Sequence, residues 1–121
     1  MSDPVLFTVP GRPIPKGRPR MAMTSTGPRV YTPIKTRYYE ERVAWTALAS
    51  GLRLKAGDQV RVRVEAAFSR GPWPDMDNVQ KAICDGLQRA YPEWNDRDVV
   101  ECSIVRCVGA DEARVLVEVL E

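Results

Sequence analysis

The 121-residue chain contains no histidine. This absence removes the usual base of a serine or cysteine catalytic triad and the common histidine-containing zinc sites. An enzyme with this sequence is therefore expected to use carboxylates, a metal ion and lysine. The three cysteines (Cys84, Cys102 and Cys107) are odd in number and scattered, which favours reduced, packed thiols in a cytoplasmic protein over a disulfide framework.

Long hydrophobic runs are also missing. No apolar segment approaches the ~20 residues that span a bilayer, and the N-terminus lacks the charged and apolar regions of a signal peptide. We therefore expect no association with a membrane. Hydrophobic residues at 44% and charged residues at 28% are ordinary for a globular protein, and the length predicts one domain spanning residues 1–121.

Acidic residues are absent from one part of the chain. Between Pro4 and Tyr39 there are seven basic residues and no acidic one, although the net charge is only +2. Residues 10–33 of this region are rich in proline and glycine, so we expect a loop with no regular element. A basic loop beside an acidic site suits an enzyme that holds a polyanion. A solvated basic loop without such a role is the alternative.

Hydrophobic periodicity predicts an α+β domain in which two helices pack on a mixed β-sheet, in the order β-α-β-α-β-β. Strands are predicted at residues 5–9, 59–68, 99–108 and 113–120. Helices are predicted from Thr32-Pro33, with Thr32 as the N-cap, to about Gly51, and from about Asp77 to Ala90. Gly109 lies between the last two strands, which predicts an antiparallel hairpin.

The two helices carry different patterns. The first has an approximate apolar stripe that we expect to face the core, with Trp45 as a core residue and not a base-stacking platform. Its members are Ile34, Tyr38, Trp45, Leu48 and Leu52. The second has a stripe of Val79, Ile83, Leu87 and Ala90, while Asp77, Lys81 and Asp85 recur every four residues on the opposite side.

The most informative segment is residues 74–85, Pro-Asp-Met-Asp-Asn-Val-Gln-Lys-Ala-Ile-Cys-Asp, where a strand gives way to the second helix. Neighbouring carboxylates repel one another unless a cation or protons compensate them. Oxygen-only clusters suit a hard divalent ion such as Mg²⁺ better than zinc. Capping explains one aspartate at a helix N-terminus. For Asp75 and Asp77 together, a metal site and a structural cap are equal alternatives.

Asp96 lies in the turn between the second helix and the following strand. Alone, a turn aspartate is most often a turn former. The helix–turn–strand return gives it a second possible role beside Asp75, and the sequence leaves both roles open.

These residues carry a resemblance to a known family. Asp75-x-Asp77-Asn78-x-x-Lys81-x-x-x-Asp85-x-Leu87, followed by Asn95-Asp96-x-x-Val99-Val100, resembles the RusA family of Holliday junction resolvases. The basic, proline-rich segment 11–20 is also similar to that family's opening. Family members are small dimeric Mg²⁺-dependent endonucleases of bacteria and phages that cut four-way DNA junctions.

The resemblance implies roles for individual residues. It makes Asp75, Asp77 and Asp96 the catalytic, metal-binding carboxylates, with Lys81 essential beside them. Asn78 and Asp85 match motif positions to which it assigns no definite role. One departure is Asn95, where the family often has the first aspartate of an Asp-Asp pair, so Asp98 is the fallback ligand.

The resemblance also implies a cofactor and partners. Mg²⁺, with Mn²⁺ as a substitute, would support phosphodiester hydrolysis in branched DNA, and a homodimer would supply two sites for two symmetric cuts. Phosphate contacts are expected from Arg12, Lys16, Arg18, Arg20, Lys35 and Arg37. Trp73 and Trp94 are expected to be packing residues, and a sheet edge or the first helix is expected to form the dimer surface. The alternatives are a non-catalytic nucleic-acid-binding module and a nuclease for other branched DNA.

Overall fold

The computed structural model describes residues 3–120. Its elements are β1 (Val5–Pro10), β2 (Arg20–Thr24), β3 (Gly27–Tyr31), α1 (Ile34–Ala49), β4 (Val60–Phe68), α2 (Met76–Ala90), a 3₁₀ helix (Asp96–Asp98), β5 (Val99–Val108) and β6 (Glu112–Val119). Two helices and a mixed sheet confirm the predicted α+β class. Within the described residues, neither helix combines the length and hydrophobicity needed to span a bilayer.

Four strands form the main sheet in the order β1-β6-β4-β5. β6 is antiparallel to both β1 and β4, whereas β5 is parallel to β4. The predicted hairpin of the last two strands is therefore wrong, because β4 lies between them. The turn crosses the end of β4, where the Gly109 N–H donates to the Phe68 carbonyl oxygen (3.1 Å). A short glycine-containing turn fits both connections, so the local sequence could not distinguish them.

The core lies between one face of the sheet and the two helices. β4, predicted as a strand, alternates between core and solvent: Val60, Val62 and Val64 are buried, whereas Arg61 on the opposite face forms ion pairs with residues of β5 and β6. The predicted apolar stripe of α2 is also confirmed, with Val79, Ile83 and Leu87 fully buried and Ala90 packed at the edge of the core. The β4-α2-β5 connection is the crossover that two parallel strands require.

The predicted orientation of α1 is wrong. Trp45 is 74% exposed, and Ile34, Tyr38 and Leu48 are each more than half exposed. Only Leu52, beyond the end of the helix, is buried as expected. The buried side of α1 consists instead of Thr36, Tyr39, Glu40, Val43, Ala44 and Ala47. The helix also begins one residue later than predicted, because Pro33 and not Thr32 occupies the N-cap position.

Close packing of the two helices explains this orientation. Gly86 of α2 lies against α1 so tightly that an added Cβ would be 2.5 Å from the Val43 Cβ and 3.0 Å from the Glu40 carbonyl oxygen. The medium-sized Val43 fits this contact, whereas a side chain as large as Trp45 would not.

The expectation of no regular element in residues 10–33 is also wrong. β2 and β3 pair antiparallel as a two-stranded hairpin, and Gly27 adopts a positive φ of 115° at its turn. Pro19 precedes β2, and Pro28 lies on an edge strand, where a missing N–H is tolerated. Pro19 therefore lies outside the hairpin, and Pro28 lies within it without interrupting the pairing.

Candidate active site

The two motif aspartates lie at the N-terminus of α2. Asp75 is the N-cap residue, and its Oδ1 accepts a hydrogen bond from the Asp77 N–H (2.8 Å). The structural cap is thus present, although it uses only one oxygen of one carboxylate. Both side chains are exposed, and the Asp77 carboxylate makes no hydrogen bond or ion pair with any residue in the 3–120 range. Three of the four oxygens therefore have no partner within that part of the chain.

Lys81 links the other acidic motif positions. Its Nζ donates to Asp85 Oδ1 (2.9 Å) and lies 3.9 Å from Asp96 Oδ2. The hydrogen bond to Asp85 raises the pKa of Lys81; burial opposes this change, and the Asp85 and Asp96 charges reinforce it. Lys81 therefore remains a cation at neutral pH. The structure brings together Lys81, Asp85 and Asp96, whereas the resemblance groups Lys81 and Asp96 with Asp75 and Asp77.

The position of Asp96 is set by Gln88, which sequence reasoning missed. Gln88 Oε1 accepts from the Asp96 N–H (2.9 Å), and its Nε2 donates to the carbonyl oxygens of Tyr91 (3.3 Å) and Trp94. One side-chain amide thus holds the whole turn that returns Asp96 to α2. The spacing in the sequence could have identified Gln88, because it lies seven residues after Lys81 and therefore on the same side of the helix.

The departure at Asn95 has a local explanation. Its side-chain oxygen accepts from the Arg97 N–H (2.9 Å) and caps the 3₁₀ helix. Of the two aspartates in that helix, Asp96 approaches Lys81, whereas Asp98 makes no ion pair among the described residues. The geometry thus favours Asp96 over Asp98 as the motif residue.

A second lysine enters the site from the basic loop. Lys16 Nζ donates to Glu40 Oε2 (2.7 Å) and lies 3.0 Å from Asp85 Oδ2. Arg89 Nε donates to the other oxygen of Glu40 (2.8 Å). Glu40 is only 2% exposed, so a buried carboxylate holds two cations beside the motif helix. Sequence reasoning missed Glu40, because the predicted orientation of α1 directed it to solvent.

The pKa of Lys16 reflects these contacts. Burial alone would lower the pKa of Lys16, but the hydrogen bonds and charges of Glu40 and Asp85 outweigh it and raise the pKa above the ordinary lysine value. The Lys16 backbone N–H also donates to the Asn78 carbonyl oxygen (2.8 Å), and the Gly17 N–H donates to Thr36 Oγ1 (3.0 Å). The basic loop is thereby fixed to both helices.

The six predicted phosphate-binding cations fall into two groups. Lys16 and Arg12 have internal partners: the Arg12 guanidinium donates to the carbonyl oxygens of Arg70 (2.8 Å) and Pro72 and lies 5.0 Å from the Phe68 ring centre. Arg12 thus braces the loop that leads to the motif aspartates. The other four are exposed and have no carboxylate partner within the 3–120 range; they are Arg18, Arg20, Lys35 and Arg37.

The two tryptophans near the site differ in exposure. Trp94 is buried, and its Nε1 donates to the Asp58 carbonyl oxygen (2.8 Å), which confirms it as a packing residue. Trp73 remains 41% exposed, with its ring edge-on to Phe68 and stacked against the guanidinium of Arg106.

Cys84, the cysteine nearest the motif residues, does not supply a nucleophile. All three cysteines are free, as predicted. A hydrogen bond with Cys102 raises the pKa of the Cys84 thiol, and burial and the nearby Asp96 and Asp85 carboxylates act in the same direction. Cys84 therefore stays protonated between α2 and β5.

The carboxylates form two groups along α2. Asp77 and Asp85 are eight residues apart, which corresponds to about 12 Å along a helix. Across residues 3–120, no three Cys, Asp or Glu side chains lie close enough together to bind one metal ion. Asp85 and Asp96 are compensated by lysines, whereas Asp75 and Asp77 offer free oxygens. The pair Asp75 and Asp77 fits Mg²⁺, which commonly binds through one or two carboxylates together with substrate phosphates.

Uncompensated carboxylates, a neighbouring protonated lysine and unpaired arginines define a site suited to a phosphodiester substrate. The family model described as endodeoxyribonuclease RusA matches residues 10–120, nearly the whole chain. The chain therefore belongs to the RusA endodeoxyribonuclease family, and the resemblance found in the sequence is confirmed. A comparison with curated proteins finds no match.

Proposed function

We propose that this protein is a Mg²⁺-dependent endonuclease that resolves four-way DNA junctions by paired, symmetric cuts. The observation that carries the proposal is the arrangement on α2. Lys81 contacts Asp85 and approaches Asp96, while Asp75 and Asp77 offer free oxygens at the start of the same helix. Family membership supports the nuclease class.

The metal would be held by Asp75 and Asp77 together with oxygens of the DNA phosphate, and Mn²⁺ would substitute for Mg²⁺. Among the described residues Asp96 lies beside Lys81 and apart from this pair, so its proposed role as a third metal ligand requires a rearrangement when DNA binds. When bound, the metal would supply Lewis-acid stabilisation of charge on the phosphate. The Gln88 side chain of α2 would hold Asp96 beside Lys81 by accepting a hydrogen bond from the Asp96 N–H, so the position of this carboxylate depends on a neutral side chain.

Lys81 would provide positive charge at the reacting phosphate. Its raised pKa keeps it protonated, so it acts as a cation and hydrogen-bond donor and not as a base. Asp85 holds the ammonium group on the side of α2 that also carries Asp77, and Lys16 contacts the other oxygen of the Asp85 carboxylate. A donor fixed in this way stabilises developing charge without reorganising first.

The exposed cations would hold the DNA backbone. Lys35 and Arg37 lie near the N-terminus of α1, whose first turn contains no acidic residue. Cations are normally unfavourable there, since the free N–H groups already make that end positive. The combined charge instead suits a phosphate group. Arg18 and Arg20 extend this surface, and such contacts position the duplex without reading its sequence.

A homodimer would place two such sites on one junction. The exposed stripe of α1, made of Ile34, Tyr38, Trp45 and Leu48, is the surface we propose for it. Large apolar side chains that are exposed on one side of a helix typically mark interaction sites. Trp45→Ser should convert a dimer to a monomer in sedimentation velocity, whereas Leu6→Ser, at an exposed position of β1, should not. A Trp45→Ser protein that remains dimeric would exclude this surface.

The function is tested with a synthetic four-way junction and a linear duplex of matched sequence, each with Mg²⁺ or EDTA. The proposal predicts paired nicks at symmetric positions in the junction only, with 5′-phosphate ends that a ligase can seal, and no cleavage in EDTA. Binding without turnover in any metal would instead indicate a non-catalytic binding module. Equal cutting of the duplex, or preferred cutting of flaps or forks, would contradict junction selectivity.

A further inference from the structure

The β2-β3 hairpin lies outside the main sheet. Its strands pair with each other, and they belong to a separate sheet from the four-stranded one. An isolated two-stranded hairpin is only marginally stable in water. A ribbon of this kind is therefore expected to gain order from a partner.

The strand register gives the hairpin two different faces. Met21 lies opposite Val30, and Met23 lies opposite Pro28. Directly opposed residues and every second residue along a strand share a face. These four residues form the apolar face of the hairpin, on which Met21, Met23 and Val30 are 70%, 80% and 65% exposed. The opposite face carries Arg20, Ala22, Arg29 and Tyr31.

Charge indicates the chemistry of the partner. Arg20 and Arg29 lie on the face of the hairpin opposite the apolar one, Arg18 precedes β2, and residues 5–38 contain no acidic side chain. A second copy of the hairpin would bring like charges together, whereas a polyanion would be attracted. Nucleic acid offers phosphates for the arginines and base surfaces for the apolar side chains.

The shape of the hairpin agrees with this partner. A two-stranded ribbon fits the major groove of DNA, which is about 12 Å wide. Apolar side chains such as methionine and proline insert between base steps in proteins that bend or open DNA. At a branch point, a ribbon has nucleic acid on both sides, so both of its faces can be used.

We propose that the hairpin of residues 20–31 is a DNA-binding arm whose apolar face packs against unstacked bases at the branch point, while Arg20 and Arg29 contact the flanking phosphates. This inference rests on the proposed function for its substrate. It adds a contact to bases, which the exposed cations alone would not supply, and it gives the hairpin a part in selecting branched over linear DNA.

The test uses a four-way junction with 2-aminopurine at the branch, since this base becomes more fluorescent when it is unstacked. Binding is measured in EDTA for the natural protein, for Met21→Ser/Met23→Ser/Val30→Ser and for Val105→Ser, a control at an exposed position of β5. The natural protein and the control should raise the fluorescence. The triple variant should not, and it should bind the junction on the order of tenfold more weakly. Its affinity for linear duplex should be unchanged.

A second variant, Arg20→Gln/Arg29→Gln, keeps the proposal testable if the triple variant unfolds the hairpin. It keeps the apolar face, so it should lose affinity with a shallower salt dependence and still raise the fluorescence. A triple variant with natural fluorescence and affinity would overturn the proposal. So would a triple variant whose lost affinity follows a change of oligomeric state in sedimentation, because the face would then be a protein interface.

Cleavage of the unlabelled junction in Mg²⁺, measured in parallel, separates the two hypotheses. If the natural protein cuts the junction and the triple variant behaves normally, only the arm is wrong. If the natural protein neither binds nor cuts the junction, the proposed function fails and the arm fails with it.

Discussion

Replacing Glu40 with glutamine should destabilise the fold far more than a similar change at an exposed carboxylate. Glu40 is 2% exposed, and its two oxygens lie 2.7 Å from Lys16 Nζ and 2.8 Å from Arg89 Nε. Glutamine preserves the shape of the side chain but removes the negative charge. It also turns one acceptor into an NH₂ group that faces a cation. Both cations would then lose their main counter-charge.

The magnitude follows from burial. Removing one partner of a fully buried ion pair costs about 3–5 kcal/mol. The side chains of Lys16 and Arg89 are 23% and 40% exposed, so water can compensate part of their charge. We therefore expect a loss of about 2–3 kcal/mol in the free energy of unfolding. In a domain of this size, that loss corresponds to a fall in Tm of about 8–12 °C.

Urea unfolding followed by circular dichroism at pH 7 measures this loss. Glu41→Gln is the matched control, because Glu41 is the exposed neighbour in the same helix, and its effect should stay within about 0.5 kcal/mol. In a double-mutant cycle, Glu40→Gln and Lys16→Met should be less than additive, since they remove the same contact. A Glu40→Gln protein within about 0.5 kcal/mol of the natural one would refute the reasoning.

Three further predictions concern α2. Gln88→Leu should reduce the single-turnover cleavage rate about 10–100-fold while raising KM little, because the Asp96 N–H loses its acceptor. Gln88→Asn should retain part of the rate that Gln88→Leu loses. An unchanged rate in Gln88→Leu would show that Gln88 does not position Asp96. Gly86→Ala should lower the free energy of unfolding, measured by urea denaturation, by about 1–3 kcal/mol, because the added Cβ would clash with α1. Equal or greater stability would mean that α1 and α2 can move apart without loss of stability. The raised pKa of Lys81 means that its stabilising ion pair is complete below pH 10.5 and is lost as pH rises through the higher folded value. Alkaline loss of stability above pH 10.5 should therefore be shallower in Lys81→Met than in the natural protein, and identical profiles would contradict this account.

The elements that could be predicted from the sequence are those with one unambiguous hydrophobic side. Val60, Val62 and Val64 alternate without exception, and the stripe beginning at Val79 gave α2 to within one residue. In both cases local periodicity and tertiary burial agree, so no other information was needed.

The first helix shows why periodicity can fail. Most of its large apolar residues lie on the exposed side, and the side that packs against Gly86 presents Val43 and the Glu40 backbone at the point of contact. Burial of the Glu40 carboxylate was not predicted for the same reason, since the predicted orientation of α1 placed it in solvent. Strand order could not be predicted either, because it depends on pairing between distant segments, here β4 with both β5 and β6.

The candidate site was predictable where residues are close in sequence and not where distant segments meet. Asp77, Lys81 and Asp85 share a side of α2 by spacing alone. The contact of Lys16 with Asp85 joins residues 69 positions apart, and no local pattern specifies it.

The central claim is that exposed carboxylates at the start of α2 carry out DNA cleavage. The most direct test is the single-turnover rate at which saturating Asp77→Asn protein cuts a four-way junction in Mg²⁺. Glu93→Gln, at an exposed position of the turn after α2, is the control. The account predicts a fall of about 10³-fold for Asp77→Asn with junction affinity retained or increased, and a natural rate for the control. Near-natural cleavage by Asp77→Asn would contradict it.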